Sequence, residues 1–273
     1  MEIRESYGGT SIMKSTCLRD EIISPKIPKM CGLATNSAVY YIVGNPGSGK
    51  SHLCESVMKC QLKRVFDSVS LVCPRSSRSG YKKSYCKLLN PEKVYEELTM
   101  ETLNKVQETI KETNDNGDEK KPRFSCLIID DCASDLRNKH VQKRLLKMLQ
   151  NHRHQRLTIF LISQNFQMLH KTLRDNVTIL IQFKTGSLKE VKAINEEYLA
   201  DYKPDEVDEI LRYIFKEKYQ FLLVNRRGRY ICRSFNPLQI KTERDIIHEQ
   251  QEPKLDSTSE STEGGIHCKS DSG

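Results

Sequence analysis

Three short stretches of this 273-residue chain combine residue types and spacings suited to phosphate chemistry. The first is "GNPGSGKS", Gly44 to Ser51, which fits G-x-x-x-x-G-K-[ST] at every fixed position. Gly44, Asn45, Pro46, Gly47, Ser48 and Gly49 supply a backbone loop, and Gly47 and Gly49 let it curl so that successive N–H groups point at phosphate oxygens. The positive end of the following helix adds to that field, and His52 carries the loop into the helix. Lys50 is placed to reach the β- and γ-phosphates of a nucleoside triphosphate, and Ser51 to hold Mg²⁺. Average residue usage yields such a string by accident in about one chain in a hundred of this length.

The second stretch is "FSCLIIDDCAS", where four apolar residues, Cys126 to Ile129, end abruptly in Asp130 and Asp131. A strand of this kind buries its body and delivers acids at its carboxyl end, where open α/β sheets bind ligands. Asp130 then reaches Mg²⁺, directly or through water, and Asp131 orients and polarises an attacking water as a general base. The third is "LTIFLISQNF", another apolar run ending in polar Ser163, Gln164 and Asn165, with Gln164 positioned for the γ-phosphate or that water.

These side chains need a scaffold, and the hydrophobic pattern supplies one. Ala38 to Val43, Ser68 to Cys73, Phe124 to Ile129, Leu157 to Ser163 and Thr178 to Phe183 read as strands. Helical spacing covers His52 to Phe66, Pro91 to Glu112, Lys139 to Gln150, Leu188 to Leu199 and about Asp205 to Phe215. Alternation of this kind predicts an α/β fold, a mostly parallel sheet covered by helices. "QFLLV" and "RYICRSF", joined by "NRRG", add a C-terminal β-hairpin. Lys50 and Asp130 are 80 residues apart, which leaves room for a strand and a helical crossover between the P-loop strand and its catalytic neighbour.

The formal net charge of +8 is unevenly placed. Residues 241–273 carry 4 basic and 8 acidic side chains, so residues 1–240 hold +12. A body that basic suits phosphate backbones, and "CPRSSRSGYKKSYCK" offers Arg75, Arg78, Lys82, Lys83 and Lys87 as grip; a solvated basic loop is the alternative. The 10 cysteines show no zinc-like spacing and read as reduced thiols of an intracellular protein. No stretch approaches the length of a membrane span. Residues 1–35 read as an N-terminal arm, 36–240 as the P-loop ATPase domain, and 241–273 as a disordered acidic, polar tail.

"GNPGSGKS", "LIIDD", "NHRHQRLTIFLISQ" and "LRDNVTILIQF" follow one another in an order and spacing that resembles the poxvirus-type genome-packaging ATPases of the FtsK-HerA superfamily, with relatives in giant viruses, virophages and Polinton-like elements. The resemblance covers about Ala38 to Ile240. It implies a RecA-like P-loop fold, ATP and Mg²⁺ as ligands, and a homo-oligomeric ring that drives double-stranded DNA into a capsid irrespective of sequence. It also implies a capsid or portal-vertex protein as partner and a viral assembly site in host cytoplasm or nucleus, with the virion as a further place. By position it gives Lys50 and Ser51 to phosphate and Mg²⁺, Asp130 to Mg²⁺, Asp131 to water activation and Gln164 to γ-phosphate sensing. Arg153 and Arg174 match arginines that act across a subunit interface; for Arg174 an ion pair with Asp175 or another acid is the alternative. Many superfamily members carry Glu where Asp131 stands, so the carboxylate here is shorter by about 1.5 Å.

Other P-loop chemistries fit less well. A kinase needs an acceptor pocket and an Arg-rich lid, and a GTPase needs an N-K-x-D-like element; neither is evident. A helicase or other DNA-processing ATPase of the same architecture remains the main rival, and a nonenzymatic DNA-binding scaffold is disfavoured by intact Lys50, Ser51 and Asp130.

Overall fold

A computed structural model describes residues 1–5, 34, 37–61, 65–78, 89–117 and 120–241. Most of the predicted arm, Lys82, Lys83 and Lys87, and all of the tail beyond Lys241 lie outside the described residues.

The predicted strands form the centre of one ten-stranded sheet with the order β1-β10-β9-β8-β7-β2-β6-β5-β3-β4. In chain order they are β1 (Glu2–Glu5), β2 (Val39–Val43), β3 (Ser68–Val72), β4 (Val94–Tyr95), β5 (Ser125–Asp130), β6 (Leu157–Ser163), β7 (Ile179–Phe183), β8 (Phe221–Asn225), β9 (Tyr230–Arg233) and β10 (Asn236–Lys241). Strands β2 to β7 run parallel, and β8, β9, β10 and β1 continue the sheet antiparallel. β6 lies between β2 and β5, so one strand is inserted between the P-loop strand and the strand ending in Asp130.

The helices are α1 (Lys50–Ser56), α2 (Met100–Asp115), α3 (Lys139–Asn151), α4 (Lys171–Arg174), α5 (Leu188–Tyr198) and α6 (Pro204–Ile214). Alternate residues of each central strand feed opposite faces, because side chains on a strand have a period of two. Val39, Tyr41 and Val43 of β2 join the core under α2, α3, α5 and α6, while Tyr40 and Ile42 join that under α1. All five residues of β2 are buried, as parallel strands covered on both faces require.

The structure departs from the sequence pattern in three places. The helix predicted from Pro91 begins only at Met100, where the Thr99 side chain accepts from the Thr102 N–H; Pro91–Lys93 is a single 3₁₀ turn followed by β4. After Ser56 the P-loop helix loosens into π geometry over Val57–Gln61. The C-terminal hairpin is extended by β10, onto which β1 pairs with Glu2 opposite Lys241, so the first residues of the predicted arm form the sheet's edge.

Candidate active site

β2 ends at Val43, and the loop Gly44–Gly49 turns the chain directly into α1. Gly47 has φ 77° and Gly49 φ 102°, left-handed conformations that glycine adopts without steric cost. Gly44 is small for a different reason: a β-carbon there would lie 2.6 Å from Ser48 Oγ and 2.7 Å from Phe183 Cβ. Lys50 is buried, and its Nζ donates to the Gly44 carbonyl at 2.5 Å and the Asn45 carbonyl at 3.0 Å. Burial pulls its pKa down, and the charges of Asp130 and Asp131 push the other way, so the ammonium lies in the field of both acids.

β5 brings Asp130 under the loop. Ser51 Oγ donates to Asp130 Oδ2 at 2.9 Å, and the Asp130 side chain is buried with 4% exposure. A hydroxyl and a carboxylate at this separation are two hard oxygen donors of the kind Mg²⁺ takes alongside phosphates and water, so the pair fits that ion. The next residue, Asp131, has φ 57°, one of the few non-glycine types that tolerate this region. Gln164 Nε2 donates to its Oδ1 at 3.0 Å. Ser77 Oγ, from the loop after β3, donates to Oδ2 at 2.6 Å. Thus each oxygen of Asp131 is held by a neutral donor.

The structure therefore brings Lys50, Ser51, Asp130, Asp131 and Gln164 together at the carboxyl edge of the parallel strands. Ser77 belongs to the same cluster although the sequence reading did not single it out. Its signal was weak: a serine between Arg75 and Arg78, 54 residues from its partner. Arg75 and Arg78 both reach Glu96, at 2.5 Å and 4.0 Å, and the Arg75 side chain is 81% exposed.

The two candidate arginines have different surroundings. Arg153 is exposed in the turn between α3 and β6, at the amino edge of the sheet and opposite its own P-loop. It lines a cleft of about 410 Å³ with His154, Asn176, Arg226 and Arg227. Arg174 closes α4 and is buried. Its Nε and Nη2 donate to the two carboxylate oxygens of Glu197 at 2.9 and 2.6 Å, Nη1 donates to the Leu169 carbonyl, and its guanidinium lies 4.6 Å from the centre of the Phe166 ring. The ion pair left open by the sequence exists, but its acid comes from α5 and not from the adjacent Asp175. As folded, Arg174 is committed within its own subunit.

The sequence profile described as Poxvirus A32 protein matches residues 33–217, more than half of the chain. The chain belongs to the poxvirus A32 family. Among solved structures, this A32-family chain is similar to the DNA-packaging ATPase B204 of Sulfolobus turreted icosahedral virus, with TM-score 0.53, 20% identity and coverage of 72% of this chain and 96% of that one. B204 of Sulfolobus turreted icosahedral virus 2 in complex with AMPPCP matches with TM-score 0.52 and 20% identity over 71% and 95% of the two chains. The conjugation coupling protein TcpA of pCW3 matches with TM-score 0.54 and 12% identity over 76% and 65%. At these identities the structural likenesses establish the fold, a P-loop NTPase. No curated protein sequence matches the A32-family chain. Among the described residues no helix is long and apolar enough to cross a membrane.

Proposed function

We propose that this A32-family protein is an ATP-hydrolysing motor that drives double-stranded DNA into a viral capsid. The observation that supports it most is the convergence of two carboxylates in distinct surroundings beside one P-loop: Asp130 against Ser51, and Asp131 between Gln164 and Ser77. The loop amides and Lys50 bind the β- and γ-phosphates, exchanging the ammonium's contacts with the Gly44 and Asn45 carbonyls for phosphate oxygens. Ser51 and Asp130 would hold Mg²⁺, which neutralises phosphate charge when bound. Asp131 takes the proton from the attacking water, and Gln164 orients that water or the γ-phosphate.

Arg153 is the stronger candidate for action on a neighbour's nucleotide. It is exposed at the edge facing away from its own site, and a guanidinium arriving from an adjacent subunit contributes about 10³–10⁵ to phosphoryl-transfer rates. Hydrolysis that depends on subunit contact allows a ring to fire in order. Arg75 and Arg78 grip DNA phosphates, a sequence-indifferent contact. The domain comprises residues 36–240, working at a site of virus assembly inside the host cell beside a capsid or portal-vertex partner.

The deciding measurement is ATP turnover with and without long duplex DNA, paired with packaging and strand-separation assays. The proposal expects stimulation by duplex DNA and no strand separation. Unwinding without packaging identifies a helicase, and turnover indifferent to DNA overturns the motor reading.

A further inference from the structure

The turn between α6 and β8 carries an aromatic residue that is left outside both cores. Tyr219 is 65% exposed and has φ 65°. A bulky side chain avoids this region, and strain of this kind collects where a ligand is handled. Chain topology fixes where the turn lies. β8 pairs antiparallel with β7, Phe221 opposite Phe183, so the residues just before β8 emerge at the same carboxyl edge as the P-loop. Phe183 packs under Gly44, and its ring lies 5.4 Å from that of Phe221, which ties the turn to the loop from below. Above, Tyr219 Cδ1 comes 3.9 Å from where a β-carbon of Gly49 would stand. The ring therefore leans on the residue that opens α1, with Lys218 Nζ 6.0 Å from its centre.

We infer that Tyr219 is the platform on which the nucleobase of the bound nucleotide stacks. This rests on the proposal that the Gly44–Ser51 loop binds a nucleoside triphosphate. The loop amides and Lys50 engage phosphates alone, so they tell a nucleotide from other anions only by the phosphate chain. The base must leave the loop along its rim, and Tyr219 is the large aromatic surface exposed there among the described residues. At 65% exposure the ring is open to solvent and to an incoming base. Stacking on an aromatic face is available to every base, so Tyr219 confers affinity for nucleosides over bare polyphosphate more than choice between bases.

The test compares binding of ATP and of inorganic tripolyphosphate, each with Mg²⁺, by calorimetry on the full chain, together with thermal unfolding. Tyr219→Ala is expected to weaken ATP about 5- to 150-fold, the effect of losing one base–aromatic stack, and to leave tripolyphosphate binding unchanged. Tyr219→Phe keeps the face and keeps ATP affinity. Tyr219→Asn suits φ 65° better, so it melts at the same temperature as wild type or higher while losing ATP affinity like Tyr219→Ala. That pairing separates a ligand role from a packing role. Unchanged ATP affinity in Tyr219→Ala, or parallel loss of ATP and tripolyphosphate, overturns the platform while leaving the nucleotide loop standing. Wild-type protein that binds neither ligand overturns the nucleotide reading, and the platform with it.

Discussion

Replacing Arg174 with alanine separates a structural arginine from one that works on a neighbouring subunit. The side chains of Arg174 and Glu197 are 9% and 15% exposed, and two hydrogen bonds join them. Removing one member of a buried pair leaves the other charge without compensation, at a cost of about 3–5 kcal/mol. For a domain of this size each kcal/mol moves Tm by about 2–4 °C, so Arg174→Ala is expected to melt about 6–20 °C below wild type. The Leu169 carbonyl and the face of Phe166 also lose their cation, which places the effect toward the upper part of that range. Thermal unfolding followed by circular dichroism measures the shift. A double-mutant cycle with Glu197→Gln isolates the pair, with an expected coupling of about 1–3 kcal/mol. Melting of Arg174→Ala within about 2 °C of wild type, less than 1 kcal/mol of change, together with lost hydrolysis would refute the structural role. Recovery of that hydrolysis on mixing with Asp131→Asn subunits would then assign Arg174 to the interface.

Lys50→Ala is expected to abolish ATP binding in a calorimetric titration, whereas Asp131→Asn keeps it and lowers kcat by about 10²–10⁴-fold; asparagine tolerates φ 57°, so the fold is preserved. Ser77→Ala removes one of the two donors holding Asp131, so kcat should fall several-fold with ATP affinity intact; an unchanged kcat removes Ser77 from the site. Arg153→Ala should leave ATP binding and Tm unchanged, abolish turnover, and recover activity when mixed with Asp131→Asn subunits in verified co-assemblies. His152, 5% exposed, has its pKa pushed down from 6.5 to about 4 by burial, with its Nδ1 donating to the Leu149 carbonyl at 2.6 Å. Because the unfolded chain binds the proton more readily, this group's contribution is full above about pH 6.5 and is lost as pH falls toward 4; denaturant titrations should show about 2 kcal/mol less stability from it at pH 5 than at pH 7, and His152→Leu should flatten that slope.

The chemistry of the site is written locally, and that part was legible. Gly44–Ser51, the acids after "CLII" and Gln164 after "TIFLIS" each sit where an apolar run stops, and a run that stops at polar residues marks the carboxyl end of a buried strand. What the sequence hid depends on pairings across long separations. Glu197 is 23 residues from Arg174, and Ser77 is 54 from Asp131; no local pattern links either pair. The helix start at Met100 was obscured because Pro91 is a strong helix-opening signal that the chain spends on one 3₁₀ turn. β10 begins with Asn236 and Pro237, residues that ordinarily argue against a strand, and is permitted them in the antiparallel wing near the sheet's margin.

The pairing of β1 with β10 sets an order of events during synthesis. Glu5, with a side chain 4% exposed, accepts hydrogen bonds from Tyr213, Arg233 and Asn236, the first and last of them 208 and 231 residues downstream. At about 5–20 residues per second, a ribosome takes roughly 10 to 45 s to deliver those partners after Glu5 is made. Through that interval the P-loop, the strand that carries Asp130 and Asp131 and the Gln164 strand can already be assembled, while β1 still lacks its partner strand. A chain that stalls before Tyr230 carries a nucleotide loop on a sheet whose β8 is paired with β7 alone, five buried residues with one hydrogen-bonding edge left open. Synthesis through β10 is thus recorded in the fold by the docking of Glu2–Glu5 against it, and products that stop short of β9 are the ones left prone to aggregate.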